Sequence, residues 1–352
     1  MTRRVKSRGQ GASCRRAESV DISPSCVFEK SEVSTELHGR QTGPWVRLVC
    51  VLGALFLGLF VTACEHEPHQ TKMSDQPAGR AVDEVSKPIV GFGVISRYNP
   101  RIMFQEYQPI VDYLTEHTPY RFELRLGRSY EDAVAFLCKG KVQVASLGGL
   151  TYLEAHRRCG AVPVVKPLNA QGQAFYRSVV VVRKDSPIRS LADLPGHSFA
   201  FASMHSTSGN LVPRGYLKRA GIELQALRRY ANLKHHDAVA KAVLAGDFDA
   251  GAVKDIIGER YLSKGLRIIY RSQPIPSVPI VVRPDCDPNL VAAVKAALLE
   301  IDASDPGQAA SMADWNAEFR HGFVPAKDSD YDVLRKLARS VRWKESLTAE
   351  RR

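Results

Sequence analysis

The residues most suited to chemistry are three consecutive hydroxyl side chains, Ser206, Thr207 and Ser208, followed by Gly209. A predicted strand ends near Ala202, so these residues open the next helix. Helix N-termini carry unpaired N–H groups and the positive end of the helix dipole, and they bind tetrahedral oxyanions. The alternative is an ordinary Ser/Thr N-cap, which needs one hydroxyl where this turn supplies three. The cluster alone leaves both interpretations open.

Two further strand ends in the same region offer polar side chains. His236 lies at the predicted start of the next helix, where a histidine can donate to an oxyanion while Asp237 caps the helix. Asp255 follows a third strand. Ser208, His236 and Asp255 superficially form a hydrolase set, but the sequence contains no G-x-S-x-G nucleophile elbow. The residues therefore favour binding over catalysis, and they predict neither a metal nor a cofactor.

The elements that position these residues alternate between short hydrophobic strands and amphipathic helices from Ile89 onward. Repeated βαβ alternation predicts an α/β fold with parallel sheets covered by helices. Two valine-rich runs, 179–182 and 278–282, bracket a middle section of about 90 residues, which is long enough for a lobe of its own. We therefore predict two α/β lobes joined by two crossover strands, with a ligand cleft between them. The predicted bounds are lobe one at residues 89–182 plus 275–340, lobe two at 183–274, and a C-terminal tail at 341–352.

The N-terminal region predicts export. Residues 48–63 form an uncharged apolar run of 16 residues after Arg47, which is short for a transmembrane helix of about 20 residues. The junction Val61-Thr-Ala-Cys64 resembles the bacterial lipobox, in which a cysteine that follows small residues is lipidated. We predict a leader over residues 1–63, lipid on Cys64 and a tether over 64–87, with a single anchoring helix as the alternative. Either arrangement places the rest of the chain on the outer side of a membrane.

The charge of the chain gives no support to a nucleic-acid partner. The net charge is +12, of which +4 belongs to residues 1–63. The remaining +8 is spread along the chain without a Lys/Arg block or a nucleic-acid-binding signature. A basic surface that attracts small anions is the prediction that remains.

Three cysteines follow the predicted lipidation site. Cys138 and Cys159 lie at the ends of neighbouring predicted helices, and Cys286 stands alone. A bridge between the first two is possible in an exported protein, and buried free thiols are an equally good interpretation.

Several short motifs follow one another between about Ile89 and about Ile301. They are Tyr107-Gln-Pro109, Gly148 to Tyr152, Tyr176-Arg-Ser178, Ser190-Leu-Ala-Asp-Leu194, Ser206-Thr-Ser-Gly209 with Leu211-Val-Pro213, His236-Asp-Ala-Val239, Gly251-Ala-Val253 with Asp255, and Pro274-Ile-Pro276 before Val281-Val-Arg-Pro284. In their order and spacing, these motifs resemble those of one known family, the phosphate/phosphite/phosphonate-binding proteins of ABC transporters.

The resemblance implies a type II periplasmic-binding-protein fold and a set of ligand contacts. Ser206, Thr207 and Ser208 would hold the phosphoryl oxygens, and His236 would donate to one of them. Asp255 would accept from a protonated oxygen, so an OH-bearing phosphorus oxyanion should bind better than sulfate. Our candidate for the aromatic contact from the opposite lobe is Tyr98.

The sequence also departs from the family in ways that concern the ligand. The family commonly has an aromatic residue and a proline in the stretch matched to Ser146-Leu-Gly-Gly149, and this chain has neither. Lys254, beside Asp255, makes a cationic aminophosphonate a less obvious ligand. We therefore expect the wall of the ligand pocket that faces the phosphorus substituent to differ from that of other family members.

The resemblance implies a periplasmic, lipid-anchored solute-binding protein rather than an enzyme. It would bind a phosphonate, phosphite or phosphate by lobe closure, as a monomer, and deliver it to ABC permease and ATPase subunits. A lipoprotein of the same fold that signals to a membrane partner would need the same closure and the same exposed surfaces. The sequence leaves transport and signalling open.

Overall fold

The structure is a computed structural model that describes residues 87–343. The predicted leader, the predicted lipidation site at Cys64 and all but the last residue of the predicted tether lie outside these residues. None of the helices in the described part of the chain is long and apolar enough to cross a bilayer.

Residues 87–343 form strands and helices in frequent alternation. The strands are β1 (Ile89–Val94), β2 (Arg121–Leu126), β3 (Val144–Ser146), β4 (Val162–Pro167), β5 (Phe175–Tyr176), β6 (Ser178–Arg183), β7 (Ser198–Phe201), β8 (Arg229–Asn232), β9 (Ala250–Lys254), β10 (Leu266–Arg271), β11 (Ile275–Pro276), β12 (Ile280–Val282) and β13 (Phe323–Pro325). The α-helices are α1 (Pro100–Glu116), α2 (Tyr130–Cys138), α3 (Gly149–Cys159), α4 (Val212–Arg219), α5 (His236–Ala245), α6 (Asp255–Arg260), α7 (Pro288–Leu299), α8 (Pro306–Ser311) and α9 (Asp332–Ser340).

The strands form two main sheets, one for each lobe. The first sheet has six strands in the order β13-β4-β12-β3-β1-β2, and the second has five in the order β10-β6-β9-β7-β8. Both sheets are mixed, which corrects the prediction of parallel sheets. In the first, β1 is parallel to β2 and β3, whereas β12 is antiparallel to β3 and β4. β12 runs opposite to β3 because it enters the first sheet from the second lobe.

The chain passes between the lobes at β5 and β11, which pair with each other as a two-stranded ribbon. The next strand after the first crossing, β6, pairs with β9 and β10 in the second sheet. The predicted limit of lobe one at residue 182 is therefore wrong for this strand. A valine run buried on both faces looks the same in either sheet, and only the pairing decides to which lobe it belongs.

Helix α1 shows how local sequence signals produce the observed elements. Asn99 is its N-cap and accepts a hydrogen bond from the backbone N–H of Ile102 at 3.2 Å, and Pro100 occupies the first helical position, where no N–H is needed. Its apolar residues share the buried face, which consists of Met103, Tyr107, Ile110, Val111 and Leu114.

Residues 341–343, the described part of the predicted C-terminal tail, lie against both lobes. Trp343 is buried and packs with Leu150 of α3 and Leu211, which belong to different lobes. Lys218 of α4 donates to the carbonyl oxygen of Ser340 at 2.9 Å. Helix α9 and the residues after it therefore tie the two lobes together.

A disulfide joins Cys138 at the end of α2 to Cys159 at the end of α3, with the two Cα atoms 5.4 Å apart. Of the two alternatives that the sequence left open, the structure contains the bridge, which suits an oxidising compartment. Cys286 is a half-buried free thiol.

Candidate functional site

The three hydroxyl residues form a buried turn between β7 and α4. Ser206 is an N-cap whose Oγ accepts from the backbone N–H of Gly209 at 3.0 Å, and Thr207–Leu211 form one π-helical turn that leads into α4. A Cβ on Gly209 would lie 2.3 Å from Cβ of Ala202 and 2.9 Å from Cε1 of His236. The turn therefore needs glycine at this position in order to approach the histidine.

His236 reaches the same turn from the start of α5. Its Nε2 lies 3.1 Å from Oγ of Ser206, and its Nδ1 accepts from the backbone N–H of Lys254 at 3.2 Å. A neutral imidazole that accepts at Nδ1 carries its proton on Nε2, so His236 donates towards Ser206. Burial, together with the nearby Arg97 and Lys254 side chains, lowers the pKa of His236 to about 3. The ring is therefore a neutral donor at any physiological pH.

The cap of helix α5 differs from the prediction. The side chain of His235, rather than Asp237, is the N-cap and accepts from the backbone N–H of Ala238 at 3.1 Å. The Asp237 carboxylate instead accepts from the Tyr261 hydroxyl and pairs with Lys241 at 2.8 Å.

Thr207 and Ser208 contact groups from the opposite side of the cleft. Oγ1 of Thr207 accepts from the backbone N–H of Leu150, at the N-terminus of α3, at 2.9 Å. The phenol of Tyr176 in the crossover strand β5 has a pKa that burial raises and that the nearby hydroxyls of Thr207 and Ser208 lower. The hydroxyl turn thus faces a second helix N-terminus across the cleft.

Asp255 lies beside this cluster but is occupied by backbone groups. It begins helix α6, where Oδ2 accepts from the N–H of Arg177 at 2.7 Å and Oδ1 accepts from the N–H of Ile256 at 3.0 Å. Among the described residues it makes no hydrogen bond to His236, so Ser208, His236 and Asp255 do not form a catalytic relay. Its carboxylate contributes charge near Tyr176 and Lys254.

Tyr98 is buried in the cleft but does not lie against the hydroxyl turn. The Arg260 guanidinium lies 5.1 Å from its ring centroid, and its hydroxyl interacts with Asn316. The tyrosines that approach the turn are Tyr176 and Tyr130. Burial raises the pKa of Tyr130, the nearby Ser206 lowers it, and the Tyr130 hydroxyl is buried without a hydrogen-bond partner in the described part of the chain. The motif containing Tyr176 was visible in the sequence, whereas Tyr130 carried no signal beyond its place on the buried face of α2.

A group of three charged side chains, which we call the cleft triad, lies next to the hydroxyl turn. The sequence did not predict it. It consists of Arg97, Lys254 and Glu318, each at least 90% buried. Glu318 pairs with Arg97 through one carboxylate oxygen and with Lys254 through the other. Arg97 and Glu318 belong to lobe one and Lys254 to lobe two, so the triad crosses the cleft. Arg97 and Glu318 are 221 residues apart, which explains why no sequence pattern connected them.

Within the triad, Arg97 retains unused donors. Its NH1 donates to the Tyr107 hydroxyl at 2.6 Å and to Glu318, while its NH2 is buried and has no hydrogen-bond partner among the described residues. Burial, and then the charge of Arg97, lower the pKa of Lys254 well below its usual value. Nζ of Lys254 lies 4.2 Å from the ring centroid of Tyr176.

A second group of charged residues joins the lobes beside the hydroxyl turn. His205, which directly precedes Ser206, places Nε2 at 2.8 Å from Glu131 of α2 and Nδ1 at 2.8 Å from Glu154 of α3. Burial alone would lower the pKa of His205, but the hydrogen bonds and charges of these carboxylates raise it to about 9. His205 is therefore a cation held by two carboxylates of the opposite lobe.

A family model described as "ABC transporter, phosphonate, periplasmic substrate-binding protein" matches residues 92–331, which is more than half of the chain. The chain belongs to this family. The membership confirms the resemblance drawn from the short motifs.

Relatives of known description agree with this family. The phosphonates-binding periplasmic protein of Escherichia coli K12 is 27% identical over 210 residues, which cover 57% of this chain and 62% of that protein. The probable phosphite-binding protein PhnD1 of Prochlorococcus marinus is 26% identical over 165 residues, which cover 45% of this chain and 49% of that protein. Both alignments span less than two thirds of the relative.

Solved structures of family members establish the fold. A binding protein component of an ABC phosphonate transporter from Pseudomonas aeruginosa superposes with a TM-score of 0.66 at 24% identity, covering 73% of this chain and 87% of that one. PhnD1 of Prochlorococcus marinus in complex with methylphosphonate gives a TM-score of 0.66 at 21% identity, covering 72% and 98%. The predicted type II periplasmic-binding-protein fold is confirmed.

Proposed function

We propose that this family member is the substrate-binding component of an ABC importer for a small phosphorus oxyanion. The observation that carries the proposal is the buried convergence of three hydroxyls and the neutral Nε2–H of His236 on one helix-opening turn. This arrangement supplies several donors at one place, and a helix N-terminus adds favourable potential for negative charge.

In this proposal Ser206, Thr207 and Ser208 hold the phosphoryl oxygens, and His236 supports them through its N–H. Tyr130 provides a further hydroxyl from the opposite lobe, a role that we now assign to it in place of Tyr98. The Asp255 carboxylate is held in place by backbone N–H groups, and its negative charge lies beside Tyr176. In this position it would repel a fully ionised oxygen of the ligand.

Contacts between the two lobes around the hydroxyl turn support the same function. The Leu150 N–H to Thr207 bond, the His205 pairs and the Lys254–Glu318 pair all join one lobe to the other around the turn. A ligand that completes the turn would therefore favour the arrangement in which these contacts exist. Delivery to permease and ATPase subunits follows from the family, as does the periplasmic location.

The proposed anchor is a lipid on Cys64, inferred from the lipobox-like junction that precedes the tether. Mass spectrometry of the mature N-terminus would detect a chain that begins at a diacylated Cys64. An unmodified N-terminus elsewhere would contradict the anchor and leave the ligand assignment untouched.

The ligand assignment is tested by thermal unfolding of the purified protein with phosphate, phosphite, methylphosphonate, 2-aminoethylphosphonate and sulfate. A ligand at about 100 times its dissociation constant adds about 2.7 kcal/mol to the free energy of unfolding. We expect at least one phosphorus compound to raise the melting temperature more than sulfate does. Equal shifts for all compounds, or the largest shift with sulfate, would show that the site is not built for phosphorus oxyanions.

A further inference from the structure

The charges of the cleft triad bear on the substituent that the ligand carries on phosphorus. We infer that the site accepts phosphonates whose substituent bears a carboxylate or another anionic oxygen, and that it rejects those bearing an ammonium group. This inference rests on the proposed function and extends it from the phosphoryl group to the remainder of the ligand.

Arg97 supplies the attractive element. Its side chain is 4% exposed and pairs with Glu318, which also pairs with Lys254. The backbone N–H of Lys254 donates to His236, and His236 contacts Ser206, so the triad adjoins the hydroxyl turn. The NH2 group of Arg97 is buried without a partner in residues 87–343. A buried donor without an acceptor is costly, and an ionised acceptor forms the strongest bond with a guanidinium. An anionic oxygen on the substituent would provide that acceptor.

The repulsive element is that the carboxylates around the triad already have partners. Glu318 is bridged by Arg97 and Lys254, and both oxygens of Asp255 accept backbone N–H groups. The other carboxylates along the cleft are also paired, since Glu106 binds Arg260 at 3.0 Å, and Glu131 and Glu154 bind His205.

An ammonium group would therefore enter beside a fixed positive charge. Arg97 stays protonated at every physiological pH, whichever protonation state Lys254 adopts. To pair with Glu318, the ammonium would have to displace one of two cations that are themselves buried and would be left unpaired. Specificity of this kind comes from an unfavourable environment for the wrong group as much as from contacts to the right one.

The test compares three phosphonates that differ in the charge of the substituent. Titration calorimetry of the purified protein should give a lower dissociation constant for phosphonoacetate than for methylphosphonate, and a value for 2-aminoethylphosphonate at least tenfold above that for methylphosphonate. If 2-aminoethylphosphonate binds as tightly as methylphosphonate, or if phosphonoacetate binds more weakly than methylphosphonate, the inference is wrong while the proposed function stands. If none of the three binds, and phosphate and phosphite do not bind either, both are wrong.

Variants connect the selectivity to the triad. Arg97→Met should lower the preference for phosphonoacetate over methylphosphonate at least tenfold, and Arg97→Lys should retain part of it because the charge remains. The matched control is Arg260→Met, which removes a cleft cation that is paired with Glu106 outside the triad. An unchanged preference in folded Arg97→Met and Arg97→Lys, or an equal loss in Arg260→Met, would overturn the assignment to Arg97.

Discussion

Ser206 combines two roles in a single hydroxyl group. Its Oγ caps the turn by accepting from Gly209 and also receives the Nε2–H of His236. With both acceptor positions engaged, the remaining hydroxyl hydrogen is free to be donated to a ligand. The same contacts that stabilise the turn thus orient its donor, which a cap on a surface helix does not require.

This arrangement predicts the effect of removing the hydroxyls. Ser206→Ala combined with Ser208→Ala should weaken binding of the preferred phosphorus oxyanion roughly 100-fold, because each lost hydrogen bond to a charged group contributes about 1.5 kcal/mol or more. The free energy of unfolding should fall by only about 1 kcal/mol, the usual effect of losing an N-cap. Titration calorimetry and thermal unfolding measure the two quantities separately.

Ser190→Ala provides the matched control, because Ser190 caps an exposed turn of the second lobe with Asp193. It should lower stability slightly and leave affinity unchanged. Retention of affinity within threefold in the double variant would show that the hydroxyl turn is an ordinary helix cap.

At the residue scale, the sequence located the hydroxyl turn and His236 but did not indicate the cleft triad. Ser206 to Gly209 and His236 lie at strand ends that the β/α alternation locates, and the fold brings them within hydrogen-bonding distance. Arg97 and Glu318 come from a loop and an irregular segment far apart in the chain, with no periodicity to mark them. Tyr98 was chosen for its position in a loop, but the loop directs its ring under Arg260 rather than towards the turn.

At the scale of elements, most strands and helices follow from hydrophobic periodicity, and strand β4 is an instructive exception. It contains Pro163 and Pro167, which argue against a strand inside a sheet. The structure accommodates Pro163 opposite Val281, where the pairing with β12 shifts register. A register shift of this kind can accommodate a proline, which lacks an N–H, within a strand. The sequence of the strand alone does not show where the shift occurs, because the shift depends on the partner strand.

The contact between His205 and helices α2 and α3 predicts a dependence of stability on pH. The pKa of His205 is raised to about 9 in the folded protein, against about 6.5 when unfolded. The folded state therefore binds this proton more tightly, and the stabilisation is complete below about pH 6.5 and disappears as the pH rises through 9. With allowance for solvent screening, we expect a loss of about 2 kcal/mol, or about 5 °C in melting temperature, between these limits.

Thermal unfolding at several pH values, with and without His205→Gln, checks this expectation. Glutamine can still hydrogen-bond to Glu131 or Glu154 but does not titrate, so the variant should lose most of the decline between pH 6.5 and 9. His197→Gln is the control, because His197 is a more exposed histidine of the second lobe near Asp249. An identical decline in wild type and His205→Gln would mean that the pairs across the cleft add no stability.

At the scale of the whole molecule, the C-terminal segment contacts both lobes. Helix α9 follows the first lobe in sequence, yet Leu337 lies against Gly215 of α4 in the second lobe. Trp343 packs between Leu150 and Leu211, and its ring lies edge-on to His205 at a centroid distance of 6.2 Å. The apolar N-terminal run and the strand–helix alternation predict an exported α/β protein, but neither pattern contains information on a segment whose place is set by packing against two lobes at once.

Trp343 should therefore report lobe closure by its fluorescence. If a ligand favours the arrangement in which Leu150 and Leu211 enclose the indole, addition of the preferred phosphorus oxyanion should shift the emission of Trp343 to shorter wavelength. Trp315 lies against Tyr113 at 5.2 Å, at a distance from the cleft residues, and Trp315→Phe should retain the shift. Trp343→Phe should abolish the shift. It should also weaken binding about tenfold, because the indole is buried only in the closed arrangement and the smaller ring stabilises that arrangement less. A full spectral shift in Trp343→Phe would place the reporter elsewhere, and unchanged affinity would show that the C-terminal segment does not stabilise the closed arrangement.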